Sequence, residues 1–231
     1  MRRFTKIWTR ICRRWTKIRL QPIRVYCLHH VSATFDATSM NRADWMQLTA
    51  FKCKVIDLQQ DGVEFITLNE AYRHICKDVV RRKKFAVLTF DDGYASLREV
   101  LPWLEEQHIP ATLFINGKYL DGRTYRENPK EQYLTKDELF ALTSPIIEIG
   151  SHGWEHIQVS DMNNIEFNQS VELNEDILKA HPRHIPFYAY TYGIHTRYST
   201  VSLHEHKLLP VYIDGMVNYN ENQLIHREPL K

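Results

Sequence analysis

The sequence predicts an α/β fold, with parallel strands and intervening helices forming one sheet that closes into a barrel. Short runs of β-branched and aromatic residues alternate with longer amphipathic segments over residues 25–213, which is the pattern of successive (β/α) units. The 231 residues show no internal repeat and suit one barrel-sized domain. A hydrophobic content of 43% and a charged content of 25% are ordinary for a soluble globular protein.

Seven short apolar runs predict the strands of this sheet: Val25–Leu28, Glu64–Thr67, Phe85–Phe90, Ala111–Ile115, Ile146–Ile149, Pro186–Tyr190 and Leu208–Ile213. Apolar residues at helical spacing predict five helices: Asn41–Gln60, Asn69–Val80, Ser96–Gln107, Lys136–Leu142 and Ile165–Lys179. Thr135, with Glu138 three residues later, is the expected N-cap of the fourth helix. The polar segment Gly117–Tyr133 is expected to be a loop. Residues 218–231 are poorly patterned, so no element is predicted there.

The charge is distributed unevenly along the chain. Residues 1–24 contain nine of the 30 Lys and Arg residues and no acid, whereas the rest contains 21 basic and 28 acidic residues, a balance of −7. An acidic body is not a nucleic-acid-binding surface, so no nucleic-acid partner is expected for it. We therefore divide the chain into a basic N-terminal segment, 1–24, and a folded domain, 25–231.

The N-terminal segment has the pattern of an amphipathic helix that lies on an anionic membrane. Residues 2–19 place apolar residues at helical spacing between basic ones: Phe4, Ile7, Trp8, Ile11, Trp15 and Ile18. A helix packed on the domain, or a nucleic-acid-binding arm, is the alternative. There is no unbroken apolar core of a secretory signal and no run of eighteen apolar residues. The expected location is cytoplasmic or peripheral to a membrane.

Two adjacent carboxylates follow the most apolar of the predicted strands. The run Phe85–Phe90 leads directly into Asp91, Asp92 and Gly93, and the carboxyl ends of strands are where α/β folds bind ligands. Neighbouring carboxylates repel each other unless a cation or a proton settles the charge. One acid on a metal, with the other beside it as a base, satisfies this requirement.

Two histidines lie four residues apart after another predicted strand. Ile146–Ile149 leads into Gly150, Ser151, His152 and then His156. If this strand end lies beside that of Asp91 and Asp92, one carboxylate and two imidazoles form a set that suits zinc, with cobalt or nickel as other first-row ions. Such an ion would lower the pKa of a bound water and polarise a carbonyl group.

These two motifs, Thr89-Phe90-Asp91-Asp92-Gly93 and Ser151-His152-Gly153-Trp154-Glu155-His156, resemble in order and spacing those of the polysaccharide deacetylase family, the carbohydrate esterase family 4 type with the nodulation-deacetylase homology domain. The resemblance covers residue 25 to the end. It implies a distorted (β/α)7-type barrel and metal-dependent removal of N-acetyl groups from N-acetylhexosamine units, such as N-acetylglucosamine, of a carbohydrate. It also implies Asp91 as the general base and a metal held by Asp92, His152 and His156.

The third motif of the family resembles Phe187-Tyr188-Ala189-Tyr190-Thr191-Tyr192-Gly193, with two departures. Thr191 stands where proline is usual, and Ala189 stands where other members carry an arginine that braces the base. The resemblance implies that the backbone N–H of Tyr192 helps to hold the oxyanion. The general acid of the family corresponds to His226 in Leu224-Ile225-His226, with His195 as the other candidate.

Two other functions are consistent with parts of the sequence. His152-x-x-Glu155-His156 is the pattern of inverted zinc metallopeptidases, in which Glu155 would be the base. That motif requires a helix, whereas the glycines here favour a loop, and it leaves Asp91 unexplained. A membrane-associated glycan-binding protein without turnover is the non-enzymatic alternative. The sequence favours a hydrolase that releases acetate from a polysaccharide, an oligosaccharide or a glycolipid precursor.

Overall fold

The computed structural model describes residues 21–35, 42–76, 83–121, 132–218 and 224–230. Within them the chain forms ten strands: β1 (Ile23–Leu28), β2 (His30–Ser32), β3 (Trp45–Gln47), β4 (Val63–Phe65), β5 (Lys84–Phe90), β6 (Ala111–Ile115), β7 (Ile147–Ser151), β8 (His184–Ala189), β9 (Leu209–Ile213) and β10 (Ile225–Pro229). Six α-helices accompany them: α1 (Leu48–Gln60), α2 (Leu68–Cys76), α3 (Leu97–Glu106), α4 (Lys136–Ala141), α5 (Asn164–Leu178) and α6 (Arg197–Glu205).

Seven of the strands form a closed parallel barrel. Their order around the ring is β1, β10, β9, β8, β7, β6 and β5, and β5 pairs in turn with β1. Strand β1 runs along the whole of one edge of β5, from Ile23 beside Phe85 to Leu28 beside Phe90. The other edge of β5 is shared, because β4 pairs with its first residues and β6 with its last. The predicted single-domain (β/α)7-type barrel is confirmed.

The sequence predicted the number of barrel strands but not all of their identities. The predicted strand Glu64–Thr67 exists as β4, but it flanks the ring instead of completing it. The seventh member is β10, which lies in the segment for which no element was predicted. Its five residues include only one large aliphatic side chain, Ile225, so they carry almost no hydrophobic pattern.

The helices agree with prediction in position more closely than in length. Trp45–Gln47, predicted to be helical, instead forms β3 beside β2, and the first helix begins at Leu48. The prediction for the second helix extends beyond Cys76 to residues 77–80, which lie outside the described residues. The predicted cap is confirmed, since Thr135 and Glu138 form a reciprocal capping box on α4. Helix α6 was not predicted.

Alternation along the strands separates two cores. Residues such as Leu88, Leu113 and Ile149 face outward and pack on the surrounding helices, while the alternate residues, such as Val87 and Phe114, face the lumen. Helix α2 packs its buried side chains, Leu68, Ala71 and Ile75, against these inward residues. It thereby closes the amino-terminal end of the barrel and leaves the carboxyl end for chemistry.

The predicted basic helix at residues 2–19 lies outside the described residues. No helix in the described part of the chain combines the length and the apolar character needed to cross a lipid bilayer.

Candidate active site

The end of β5 turns sharply so that two successive carboxylates enter the site. Asp92 has a φ of 71° and Gly93 a φ of 80°, both in the left-handed region that non-glycine residues rarely adopt. A Cβ at Gly93 would lie 2.9 Å from Ile115 Cδ1, a contact that this flexible side chain can relieve, so the positive φ is the main reason for glycine here. This turn buries Asp91 and Asp92 almost completely, with 3% and 4% of their surfaces exposed.

The two histidines occupy a loop after β7 that neighbouring strands hold in place. The segment that follows Ser151 has no helix before Val159. Asn116, at the end of β6, donates from its side-chain amide to the carbonyl oxygens of His152, at 2.7 Å, and Gly153, at 3.1 Å. His156 adopts a φ of 55°. The predicted loop is therefore confirmed, and it brings both imidazoles to the carboxyl end of β5.

Asp92, His152 and His156 converge as a metal-binding set would. Their ligand atoms all lie within 4.8 Å of one another, and Asp92 Oδ1 is 3.3 Å from His152 Nε2 and 3.1 Å from His156 Nε2. Asp92 Oδ1 is nevertheless buried without a properly aligned hydrogen bond from a described residue. A buried carboxylate oxygen without an aligned donor, facing two imidazole nitrogens, is what a divalent cation would satisfy.

The orientation of His152 supports the same role. Its Nδ1 lies 2.8 Å from the carbonyl oxygen of Ala189. A carbonyl can only accept, so Nδ1 carries the proton and Nε2 keeps its lone pair for a ligand. Burial opposes ionisation of Asp92, but His156 and His152 outweigh it and hold the pKa of this carboxyl well below its usual range. The donor set therefore presents one carboxylate and one imidazole of fixed tautomer.

Asp91 is held by an arginine that crosses the lumen from β10. Arg227 Nη1 donates to Asp91 Oδ1 at 2.6 Å and Nη2 to Oδ2 at 2.9 Å. Nη1 also lies 3.1 Å from Thr89 Oγ1, and the guanidinium lies over the ring of Phe114. Burial is the largest single influence and raises the pKa of Asp91, but the charge and hydrogen bonds of Arg227, together with the nearby His152 and His29, outweigh it, so the net pKa lies below its ordinary value. Asp91 is therefore ionised and fixed in orientation.

Two residues at the end of β1 complete the surroundings of Asp91. Cys27 Sγ is 3.5 Å from Asp91 Oδ2, and burial raises the pKa of this thiol well above its usual value. One ring nitrogen of His29 lies within 4.8 Å of both Cys27 Sγ and a carboxylate oxygen of Asp91. A neutral thiol and an imidazole thus adjoin the carboxylate.

Glu155 lies apart from this cluster. Its carboxylate forms an ion pair with Lys118, and Tyr119 donates to its backbone carbonyl at 2.9 Å. The metallopeptidase interpretation requires a helix over residues 152–156 and a carboxylate of Glu155 that is available as base. The loop conformation removes the first condition, and the ion pair with Lys118 removes the second.

Comparison with known sequences identifies this arrangement. The sequence profile of the polysaccharide deacetylase family matches residues 78–211, which is more than half of the chain. The chain belongs to the polysaccharide deacetylase family. A homologue from Bacillus subtilis (strain 168), the curated polysaccharide deacetylase YxkH, is 26% identical over 106 residues, which are 46% of this chain and 35% of that protein. The match therefore spans about a third of the relative's length.

Solved structures show the same fold over nearly the whole chain. IcaB from Ammonifex degensii aligns with a TM-score of 0.76 at 19% identity, covering 91% of this chain and 92% of that one. The Streptococcus pyogenes deacetylase PplD, solved with acetate, gives 0.72 at 18% identity over 90% of each chain. A de-N-acetylase from Aggregatibacter actinomycetemcomitans gives 0.68 at 16% identity, over 90% of this chain and 94% of that one. These likenesses establish the fold.

Arg227 is the site residue that sequence reasoning missed. The resemblance to the polysaccharide deacetylases led us to look for the brace at position 189, on β8, where this chain has alanine. Ala189 and Arg227 both face the lumen, so a brace from β10 reaches the same carboxylate. A lone arginine in an unpatterned segment gives no signal of burial, because arginine is almost never buried unless it is paired.

The third family motif forms the expected turn. Tyr192 adopts a φ of 55°, and its ring lies 4.6 Å from that of His156. Thr191 Oγ1 donates to the carbonyl of Ile157 at 2.6 Å, which links the loop after β8 to the histidine loop. Three of the five non-glycine residues with positive φ in the described part of the chain, Asp92, His156 and Tyr192, lie at this site. Backbone strain is thus concentrated where it would serve function.

The structure does not bring His226 or His195 to the cluster. On β10 the side chain of Arg227 faces the lumen, so that of His226 faces the opposite side, where its Nδ1 lies 2.6 Å from Asp214 Oδ2. The rings of both histidines pack on Tyr212 instead. This corrects the sequence-based expectation: neither histidine lies beside Asp91, where a general acid would have to protonate the departing amine.

Proposed function

We propose that this protein is a metal-dependent carbohydrate N-deacetylase that removes acetyl groups from N-acetylhexosamine units and leaves a free amine. The observation that carries the proposal is the pairing of two successive carboxylates with different partners. Asp91 is bound by Arg227 as an ionised base, while Asp92 faces His152 and His156 as a ligand set. Membership of the polysaccharide deacetylase family supports the same reaction class.

Each group has a role in amide hydrolysis. A divalent cation held by Asp92, His152 and His156, most simply zinc, with cobalt or nickel as other candidates, would act as a Lewis acid on the acetyl carbonyl. Asp91 accepts a proton from the attacking water, and Arg227 keeps this carboxylate charged and oriented for that transfer. The backbone N–H of Tyr192 is the proposed donor to the oxyanion.

His29 is the proposed proton donor to the departing amine, in place of His226 and His195. Its ring nitrogen lies within 4.8 Å of a carboxylate oxygen of Asp91, so one substrate amide can contact both groups. An amine leaves only after it is protonated, so a histidine next to the base supports turnover. A His29→Gln variant should therefore lose most of its turnover while retaining the metal.

The N-terminal segment supports a location for this activity. Residues 2–19 carry basic side chains between aromatic and aliphatic ones, a composition that binds anionic lipid headgroups. We propose that the protein acts at a membrane face on a lipid-linked or nascent glycan. Liposome flotation with and without residues 1–20 tests this: unchanged binding to anionic vesicles after the deletion would contradict it.

Acetate release measures the proposed reaction directly. Wild-type protein is stripped with a chelator, reloaded with zinc, cobalt or nickel, and incubated with N-acetylglucosamine oligomers. Asp91→Asn and His152→Ala should each reduce release by at least a hundredfold, and His152→Ala should also reduce the amount of metal bound. Asp57→Asn, which changes an exposed acid on α1, is the matched control.

The outcomes separate the competing functions. Metal-dependent release that both active-site variants abolish would establish the deacetylase. No release, together with stoichiometric metal and measurable oligomer binding, would favour the glycan-binding protein. No metal bound to the wild-type protein would contradict the role of Asp92, His152 and His156.

A further inference from the structure

A cavity of about 240 Å³ opens at the carboxyl end of β1, next to the proposed active site. The end of β1, the β3 strand and the ends of β9 and β10 contribute its walls. Since a water molecule accounts for about 30 Å³ of liquid, the cavity has room for about eight waters. This is the scale of one monosaccharide unit and not of a folded partner.

The cavity shares two lining residues with the surroundings of Asp91, the proposed base. Cys27 and His29 both line it, and their ligand atoms lie within 4.8 Å of an Asp91 oxygen. His29 is also the proposed donor to the amine that leaves. A glycan whose amide nitrogen faces His29 therefore has its sugar rings on the side of this cavity.

The apolar wall suits the face of a sugar ring. Trp45 and Met46 line the cavity opposite the chain's last described residues, Pro229 and Leu230. Trp45 is held in place from several directions: its Nε1 donates to Ser32 Oγ at 2.8 Å, and its ring packs against Phe35 and the guanidinium of Arg42. A rigid aromatic surface covers the C–H face of a pyranose at low entropic cost.

The charge of the cavity favours a hexosamine with a free, protonated amine over one with a neutral N-acetyl group. Asp44 contributes the only carboxylate among the lining residues. No lysine or arginine lines the cavity, and its basic side chains are the imidazoles of His29 and His30, of which His29 has the proposed role of proton donor. The side chain of Asp44 makes no hydrogen bond or ion pair with any other residue in the described ranges, and the guanidinium of the nearby Arg42 packs on aromatic rings instead. Asp91 is already neutralised by Arg227. An ammonium group entering the cavity would therefore pair with Asp44.

We propose that this cavity is a subsite for a hexosamine unit with a free, protonated amine. The inference rests on the proposed deacetylase function and deepens it: the preferred substrate is a glycan in which a unit near the scissile one is already deacetylated. A charge-assisted hydrogen bond from the ammonium group to Asp44 supplies the preference, and the aromatic wall binds either kind of unit.

Direct binding tests the subsite independently of turnover. A glucosamine tetramer and an N-acetylglucosamine tetramer are titrated calorimetrically at low salt into metal-free wild type, Asp44→Asn and the surface control Asp57→Asn. Asp44→Asn should weaken binding of the cationic tetramer about tenfold and leave binding of the neutral tetramer unchanged. Asp57→Asn should match the wild type for both. Equal effects of Asp44→Asn on both ligands, or no effect, would overturn the proposal.

Kinetics with the loaded enzyme connects the subsite to the reaction. Partly deacetylated tetramers should have a KM about tenfold lower than fully acetylated ones in the wild type, and Asp44→Asn should remove that difference. Normal acetate release without dependence on Asp44 would refute the subsite alone. Selective binding of the cationic tetramer without acetate release from any oligomer would refute the proposed function while the subsite stands.

Discussion

Two buried carboxylates face the lumen of the barrel at opposite ends, and the protein stabilises them in different ways. Asp91, at the carboxyl end, is 3% exposed and receives two charged hydrogen bonds from Arg227. Glu148, near the amino end, is 4% exposed and receives neutral bonds from the backbone N–H of Leu68, at the start of α2, and from Thr112 Oγ1. Both side chains are almost fully buried, so the main difference between them is the charge of their partners.

The pKa values of these carboxyls shift in opposite directions as a result. Burial is the largest influence on both and raises the pKa. At Asp91 the Arg227 guanidinium and the neighbouring imidazoles of His152 and His29 together outweigh it, so the pKa is lowered. At Glu148 the neutral donors do not, so its pKa is raised. One end of the lumen thus favours the anion of Asp91, the proposed base, while at the other end the carboxyl group of Glu148 links the start of α2 to β7.

Removal of the Arg227 guanidinium should have the largest effect on both stability and acetate release. Arg227→Met leaves Asp91 as a buried charge without a partner, which should lower the free energy of unfolding by about 3–5 kcal/mol. Acetate release should fall by at least a hundredfold, because the ionised form of Asp91 is disfavoured and its carboxylate is no longer held in orientation. Urea unfolding and the acetate assay, both at pH 7, measure the two effects.

Two further variants separate charge from geometry at this position. Arg227→Lys keeps the charge but loses the paired hydrogen bonds, so we expect intermediate stability and low turnover. Asp91→Asn combined with Arg227→Met removes both charges and should recover much of the stability without activity. Full activity of Arg227→Met would show that Asp91 needs no brace.

At the other end of the lumen, Glu148→Gln should affect stability and not turnover. The folded-state pKa of Glu148 is raised, so its protonated form is favoured by folding. Its stabilising contribution is complete below the ordinary pKa of 4.5 and is lost as the pH rises through the folded value. Wild type should therefore lose stability relative to Glu148→Gln between pH 4 and pH 7, on the order of 1 kcal/mol.

Urea unfolding of both proteins across this range measures that difference. The acetate assay at pH 7 is the control and should give the same rate for both. A large loss of turnover in Glu148→Gln would mean that the two ends of the lumen are coupled.

Substitution of Glu138, a more exposed carboxylate on α4, should have the smallest effect on stability, and it serves as the reference for Asp91 and Glu148. Two hydrogen bonds from Arg98 and the backbone N–H of Thr135 lower the pKa of Glu138 to about 2. Its contribution is present above the ordinary value of 4.5 and is lost as the pH falls from there toward about 2. Because solvent screens this site, Glu138→Gln should cost only about 0.5 kcal/mol at pH 7.

Unfolding at pH 7 and at pH 3.5 measures this contribution, which should be smaller at the lower pH. Added salt should reduce the part due to Arg98 and spare the capping of α4 by Thr135. A Glu138→Gln effect that grows on acidification would reverse the expected sign.

The parts of the fold that the sequence predicted are those with a local signal. Phe85–Phe90 is apolar enough to indicate a buried strand, and the Asp91–Gly93 turn indicates a site at its end. Thr135 and Glu138 form a cap that two residues specify. By contrast, β10 depends on pairing with strands distant in sequence, and its residues suit a strand only because the barrel closes there.

The site was predicted to a similar extent. His152 and His156 follow a strand at recognisable spacing, and the structure brings both to Asp92. Arg227 and His226 could not be distinguished by spacing, because which of two successive residues faces the lumen depends on the register of β10. That register places Arg227 inside, and it places His226 beside Asp214.

The ion pair between Asp91 and Arg227 joins residues 136 positions apart in the chain. At synthesis rates of about 5–20 residues per second, Asp91 is translated on the order of ten seconds before its partner. During that interval the strand that carries the base has neither its guanidinium nor a closed ring around it. Because β10 both completes the ring and carries Arg227, the proposed base cannot receive its guanidinium partner before the strand that closes the barrel has been made.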